Sequence, residues 1–453
     1  MPMESEDFRT EERIDQALVE VMRHRRREHT EGFTLIGSEN HPHPEDVAAY
    51  RDAQKAGFDG GYFEGYPADL NKRPGSGRFY QGCLSADELE RLARDRVVRV
   101  IARSNPDAAE ANVQAPSGAI ANIAAYLGVL EPGDKIVAPD LKDGYGHLSY
   151  GAGSPNVVSK LFNVRSYGVD PATHLLDYVA LEQTVKEHQP KLIIGGASSY
   201  TRDIDWKYIV TIAKAYGALT MADISHPAGL VVIDALGDPF ANGVDIVTST
   251  THKTLRGEKG AVIVWRKDLA ERMKTKGINF SVFPGMLGGP NMATVASIAS
   301  TFRRAQTPQF KQEQLQTKTN AETLARALEM RGWQLITGGT DNHLVLADVT
   351  KIDGLKADAN KDGWNAAVAL ETGIGIITNK NSIPRTEGTP IRPVGLRMGT
   401  PAMTARGLQE TEVRDLADCI DQGLRYANDA MRIAAVRTKV RDMAYAFPAP
   451  TYE

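Results

Sequence analysis

Cysteine is nearly absent. Cys83 and Cys419 are the two in 453 residues, too few for a disulfide framework, and no Cys/His spacing reads as a zinc site. Both are expected to be reduced thiols of a cytoplasmic protein. Long apolar runs are missing too. No stretch approaches the ~18–20 residues that a membrane helix needs. The opening MPMESEDFRT is acidic and polar, without the basic start and apolar core of a signal peptide. Nor does one sign of charge dominate. The 57 acidic and 53 basic residues leave a net charge of −4, so neither nucleic acid nor an anionic membrane is an expected partner. A small anionic ligand needs only a few local cations. Internal repeats and low-complexity tails are absent as well.

What is present is an ordinary globular composition, 42% hydrophobic and 24% charged, in a chain too long for one compact core. The length suggests two or three domains, or one large α/β domain with a smaller partner. Residues 11–29 place Ile14, Leu18 and Val21 or Met22 on one helical face. The Gly/Pro-rich, aromatic stretch from Gly32 to Cys83 resists regular elements and reads as a functional loop region. From about 84 to 270, helices alternate with the short apolar strands KIVAPD, KLIIGG, ALTMAD, DIVTST and AVIVW. That alternation predicts an α/β fold with a doubly wound, mostly parallel sheet. After about 305 come a long helix, the strand HLVLADV, a helix before Gly373 and a final long helix to about 439, which predict a smaller α+β C-terminal domain. The expected division is 1–50 for an N-terminal helix and arm, 51–305 for the large domain and 306–453 for the small one.

Ligands of such sheets sit at the C-terminal ends of strands. STTHKTLRGEKG follows one such strand, and Lys253 within it is placed to form an imine with an aldehyde cofactor if buried. Asp223 ends the strand LTMAD, where a carboxylate would pair with a protonated pyridine nitrogen and strengthen the ring as an electron sink. His226 follows three residues later. Ser117 and Gly118 in APSGAIAN precede an apolar helix whose first N–H groups suit a phosphate. GMLGGP, 285–290, is a second Gly-rich turn. His147 could stack on an aromatic ring, and Arg397 could bind a carboxylate through two parallel hydrogen bonds. Each has a plainer reading when taken alone: a solvated lysine, a turn-capping aspartate, a serine N-cap, a structural histidine, a surface ion pair. Their combination at ordered strand ends is what points to chemistry.

Taken together, IGSEN, YFEGYP, RFYQGC, NVQAPSGAIAN, GHLSYG, KLIIGGASSY, ADISHPAGL, TSTTHKTLRG, VFPGMLGGP, GGTDNHLVL, TNKNSIP and LRMGTPAMTARG occur in one order. In them the chain resembles the serine hydroxymethyltransferases from about residue 10 to 425. The resemblance implies a pyridoxal-phosphate transferase of fold type I, with tetrahydrofolate as co-substrate and a homodimer or tetramer sharing its active sites. It implies a Schiff base on Lys253, with His252 and Thr250 beside it. Asp223 would partner the pyridine nitrogen, His147 would stack on the ring, and His226 would lie near the phenolic oxygen. Ser117 and Gly118 would hold the phosphate together with Gly288 and Gly289 of a neighbouring subunit, and Ser198 would lie on the cofactor side. The substrate carboxylate would meet Arg397 and Ser38, helped by the neighbour's Tyr62, with Tyr80 near that arginine. Glu64 would be the acid/base group near folate and the hydroxymethyl carbon. Leu141, Gly146, Leu148 and Asn381 would line the pterin.

The chain departs from the family pattern at a longer link, ADLNKRPGSG, and at Tyr145, an extra residue in the turn before His147. It departs also at Tyr150 for a usual histidine, Ala119 for a phosphate-binding serine, Lys259 for an arginine and Leu287 for a glutamine. Three readings follow: folate-dependent hydroxymethyl transfer, with serine as default substrate and α-methylserine as alternative; a folate-independent aldolase or transaldolase acting on β-hydroxy amino acids, which Tyr145 favours; and a non-enzymatic relative, which the presence of Lys253, Asp223 and Arg397 disfavours.

Overall fold

The computed structural model describes residues 16–67, 77–143, 145–151, 156–272, 277–352, 362–386, 388–389 and 391–452. Seven strands form its central sheet: β1 (Ala109–Asn112), β2 (Lys135–Pro139), β3 (Asn163–Tyr167), β4 (Leu192–Gly196), β5 (Leu219–Asp223), β6 (Ile246–Thr250) and β7 (Ala261–Arg266). They lie in the order β1-β7-β6-β5-β4-β2-β3. β2 through β6 are parallel, and only β7 is reversed, opposing both β6 and β1. This is the doubly wound α/β sheet that the alternation predicts. Every residue of β4 and β6 is buried, which is why LIIGG and IVTST show no polar alternation. The crossover helix Trp206–Tyr216 starts on the Asp205 side chain and stops at Gly217, whose φ of 70° closes the helix without a Cβ clash. Registry then sets the site: Gly196, Asp223 and Thr248 lie side by side across β4, β5 and β6 at their C-terminal ends.

A second, antiparallel sheet has the order β10-β11-β9-β8, with β8 (Gln334–Leu335), β9 (Leu344–Asp348), β10 (Asn379–Asn381) and β11 (Gly395–Gly399). Its core includes Leu396 of β11 together with Leu324, Leu328, Leu370 and Leu416 from the helices around it. Phe33 and Leu35 are fully buried in that same core. Phe33–Thr34 pairs in parallel with Ile376–Ile377, so the N-terminal arm is built into the C-terminal layer.

Three expectations need correction. The first helix, Gln16–Glu31, buries none of its residues, and Leu18, Val21 and Met22 stay exposed; Ile14 lies outside the described residues. The stretch 32–83 contains a regular helix, Pro44–Lys55, because Pro44 stands at the first helical position and the His43 side chain accepts from Glu45 N–H. The final helix is two helices, Glu410–Arg425 and Ala430–Ala446, the second started by the Asp429 side chain. Among the described residues no helix is long and apolar enough to cross a membrane.

The extended link is entered and left through a fixed neck, and residues 68–76 of it lie outside the described residues. Tyr66 N–H donates to Gly77 O at 3.0 Å, and Phe79 N–H to Glu64 O at 2.9 Å. Arg78 locks this neck from inside. Its Nη1 donates to Phe63 O and Gly65 O, both at 2.9 Å, its Nε to Asp87 at 2.8 Å and its Nη2 to Glu90 at 2.8 Å. Arg78 and both carboxylates are buried, so removing the guanidinium strands two charges. Arg78→Met is expected to destabilise the fold by about 3–5 kcal/mol, read as a lowered denaturant midpoint. A loss below about 1 kcal/mol would show that the neck does not depend on this network.

Candidate active site

Asp223 is the centre of the site. Its Oδ2 accepts from Asn122 Nδ2 at 2.8 Å and from the Tyr150 hydroxyl at 3.2 Å, and its Oδ1 accepts from Ser225 N–H at 3.0 Å. Burial acts most strongly and pushes this carboxyl up. His147, the hydrogen bonds of Ser225 and Asn122, and Lys253 together outweigh it and hold the group below the usual carboxylate range. Asn122 is itself oriented, with Oδ1 accepting from Thr248 at 2.7 Å and Nδ2 also donating to Ser149 at 2.9 Å. Ser149 in turn meets His147 Nδ1 at 2.8 Å.

Lys253 stands in the loop between β6 and β7. Its carbonyl accepts from Asn40 at 3.0 Å, and the neighbouring Thr254 hydroxyl donates to His226 O at 2.7 Å. Burial lowers the Lys253 amine to about 8, with Asp223 pulling it back up and Arg397 pushing it further down. His226 is also buried, stacked on His343 with ring centroids 5.8 Å apart. Burial, then Lys253 and Arg397, keep its imidazole neutral.

Arg397 lies within β11 rather than after a strand, held between the two sheets. Its Nε donates to Asn379 Oδ1 at 3.0 Å and its Nη1 to the carbonyl of Ser198. Among the described residues no carboxylate pairs with it, and burial lowers it to about 10. A buried guanidinium without an anion is expensive unless a ligand supplies one.

One cavity of about 1630 Å³ joins these groups. It is larger than a site for one small ligand needs. Its lining includes Ser38, Ser117, Gly118, Leu141, Gly146, His147, Leu148, Ser198, Asp223, His226, Thr250, His252, Lys253, Asn381 and Arg397. Ser117 is the N-cap of the helix Gly118–Val129, its hydroxyl accepting from Ile120 N–H at 3.4 Å. The cap and the anion-site readings therefore hold together, because the first turn still presents N–H groups without helical partners. A Cβ on Gly118 would come within 2.7 Å of Thr250 Cγ2, so the backbone here is kept bare. His226 Nδ1 and His252 Nδ1 are buried without a hydrogen-bond partner. A buried lysine, a carboxylate, a bare helix start and orphaned imidazole nitrogens together fit a phosphorylated aldehyde of pyridine.

Five expected residues are not in this cavity. Gly288 and Gly289 lie against Glu64, at 3.3 and 3.8 Å from the positions a Cβ would take. Tyr62 and Tyr80 pack ring on ring at 5.6 Å and are 68% and 46% exposed. They form a separate surface at the neck.

Asn122, Ser225 and His343 were not singled out from the sequence. An asparagine inside the apolar helix GAIANIAAYLGV was the available signal. Tyr145 is also placed differently from what its position suggested. Its φ of 58° turns the ring into the core, 5.4 Å from Tyr200, with the hydroxyl donating to His174 O at 3.3 Å. The side chain therefore stays out of the cavity, while the backbone of Gly146, His147 and Leu148 continues to line it.

Fold and site define a class, the pyridoxal-phosphate enzymes of fold type I. Residues 11–420 match the model of the serine hydroxymethyltransferase family. The chain is 40% identical to a serine hydroxymethyltransferase of Alkalilimnicola ehrlichii over 435 residues, 96% of each chain. It is 39% identical to one of Methanosarcina barkeri, over 96% of this chain and 98% of the relative, and 38% identical to one of Myxococcus xanthus, over 98% of both. The chain belongs to the serine hydroxymethyltransferase family, whose members are pyridoxal-phosphate-dependent one-carbon transferases.

The lysine environment gives a measurable pH dependence. Only the unprotonated amine reacts with an electrophile, so cyanate labelling of Lys253 in cofactor-free protein should rise with pH through a midpoint near about 8. Asp223→Ala removes the interaction that raises this amine and should move the midpoint down. Peptide mapping that puts the midpoint at the ordinary 10.5 would contradict the burial argument.

Proposed function

We propose that the chain transfers a hydroxymethyl group between a small amino acid and tetrahydrofolate, with pyridoxal 5'-phosphate attached at Lys253. Serine and glycine are the default pair, and α-methylserine with alanine is the second candidate. The observation that carries this reading is the unpaired, buried Arg397 opening into the same cavity as Lys253, Asp223 and the pterin frame. Arg397, with Ser38, takes the amino-acid carboxylate. Asp223 holds a proton on the cofactor's ring nitrogen, and His147 covers the ring face. Ser117 and Gly118 bind the phosphate from the helix start, and Gly288 and Gly289 of a second copy complete that contact. When bound, the cofactor supplies an electron sink for the charge left on Cα as the Cα–Cβ bond breaks. Lys253, with its amine near 8, exchanges protons around neutrality. His226 stays neutral beside the phenolic oxygen, and Thr250 and His252 frame the lysine.

Leu141, Gly146, Leu148 and Asn381 form the pterin frame. Glu64 of a second copy acts on the hydroxymethyl oxygen, with that copy's Tyr62 and Tyr80 closing on the substrate. A homodimer is therefore the smallest complete unit. In it, the large 51–305 domain carries the cofactor and the 306–453 domain carries the substrate arginine. The inward ring of Tyr145 supports folate use, since the feature that favoured an aldolase does not press on the pterin frame.

Arg397→Ala should keep the cofactor and weaken amino-acid binding by roughly 2–5 kcal/mol, read by spectroscopic titration with serine. Unchanged affinity would remove Arg397 from the carboxylate site. Cleavage of serine and α-methylserine should require tetrahydrofolate. Rapid turnover of both without it would favour the aldolase. Borohydride reduction of the holoenzyme should label Lys253, and a label on another lysine would overturn the attachment site.

A further inference from the structure

The wall of the cavity behind Asp223 is built with unusual economy of space. Tyr150 is 1% exposed, yet its hydroxyl reaches Asp223 Oδ2 at 3.2 Å. That reach needs Gly196 on the neighbouring strand. A Cβ there would come within 2.8 Å of the Tyr150 oxygen and 2.5 Å of Asp223 O, and the Gly196 φ of 135° is one that side chains rarely adopt. Asn122 donates to the same Oδ2 at 2.8 Å, whereas Oδ1 receives only Ser225 N–H, at 3.0 Å. Two donors fill one carboxylate oxygen, and the other keeps capacity for a further donor.

We propose that Tyr150 is a positioning residue for Asp223: its phenol, with the Asn122 amide, pins Oδ2 and so presents Oδ1 to the cofactor's ring nitrogen. This rests on the reading that Asp223 pairs with that nitrogen. The phenol also sets the charge on the carboxylate. With both donors in place the anion is less basic and leaves the ring proton on nitrogen. With Tyr150 gone the carboxylate draws that proton toward itself, the ring withdraws fewer electrons from the nitrogen attached at Lys253, and that nitrogen keeps its proton to higher pH. His147, Lys253, Tyr126 and Tyr167 also face this pair, and removing only the Tyr150 hydroxyl leaves them in place.

The test compares wild type, Tyr150→Phe and Asp223→Asn. It uses pyridoxal-phosphate titration of cofactor-free protein and the pH midpoint of the visible band of holoenzyme, with circular dichroism to check the fold. Tyr150→Phe should bind the cofactor weaker by on the order of tenfold and shift the midpoint upward. If Tyr150→Phe matches wild type in both while Asp223→Asn does not, the positioning role is overturned and the Asp223 reading stands. If Asp223→Asn also matches wild type, both fall. Should Tyr150→Phe lack the native spectrum, Tyr150→Met carries the comparison, because it too has no donor and leaves Oδ2 with Asn122 alone, and it should give the same weakening and shift.

Discussion

Keeping a carboxylate ionised in a dry sheet end is the constraint around which this site is organised. Asp223 is buried where a parallel strand stops, and burial is the largest single influence on it, in the unfavourable direction. The compensation comes first from His147, then from the hydrogen bonds of Ser225 and Asn122 and from Lys253, and the groups that hydrogen-bond the carboxylate come from three different elements. Asn122 projects from the helix that begins at Ser117, Ser225 N–H comes from the turn just after the strand, and Tyr150 arrives from the segment after His147. Helix, strand end and loop must all be in register for the charge to survive. The same low-dielectric surroundings push Lys253 down to about 8 and Arg397 down to about 10. One anion and two cations share a cavity without direct ion pairs among the described residues; Asp223 is held by Asn122, Tyr150 and Ser225 N–H, and Arg397 by Asn379 and the Ser198 carbonyl. A cavity with charges fixed in that way is preorganised for a ligand that carries complementary charges.

The second constraint is that the residues of the proposed site fall into two groups that one chain does not bring together. The cavity holds the lysine, the aspartate and the arginine, while Tyr62, Glu64, Tyr80, Gly288 and Gly289 gather on the far side of the neck. Arg78 explains how those five can be precise while exposed. It ties Phe63 O, Gly65 O, Asp87 and Glu90 into one buried knot directly beneath Glu64. The bridge between Gly65 and Arg78 closes the long link at its base. In the proposed dimer, that rigidity is what allows one subunit to place side chains in the site of the other.

Much of this was legible in the sequence because the signals were local. KLIIGG, ALTMAD and DIVTST are short runs with no strongly polar residue inside them, and a strand buried on both faces favours that pattern. THK after DIVTST, and the aspartate ending LTMAD, followed from where such sheets place ligands. What was not legible depended on distance. The edge strands β1 and β3 are mostly polar, AEAN and NVRSY, and form only because a neighbour offers its edge. The helix Pro44–Lys55 was hidden among glycines and prolines, although His43 and Pro44 start it by ordinary local rules. His343 gave no sign of stacking on His226, more than a hundred residues away in sequence. The helix Gln16–Glu31 formed as its periodicity predicts, but its apolar face stays exposed, which periodicity does not tell.

The inserted Tyr145 shows how a single extra residue can change meaning between sequence and structure. A non-glycine residue at positive φ is disfavoured by about 1–2 kcal/mol, and burial of an aromatic ring against Tyr200 is large enough to offset it. The turn therefore absorbs the insertion inward. Its backbone then takes on a new task, for Tyr145 O accepts both Ser198 N–H at 2.8 Å and the Ser198 hydroxyl at 3.3 Å. The Ser198 carbonyl in turn accepts from Arg397 Nη1. Tyr145 is thus joined, through one serine, to Arg397, the residue proposed to hold the substrate carboxylate.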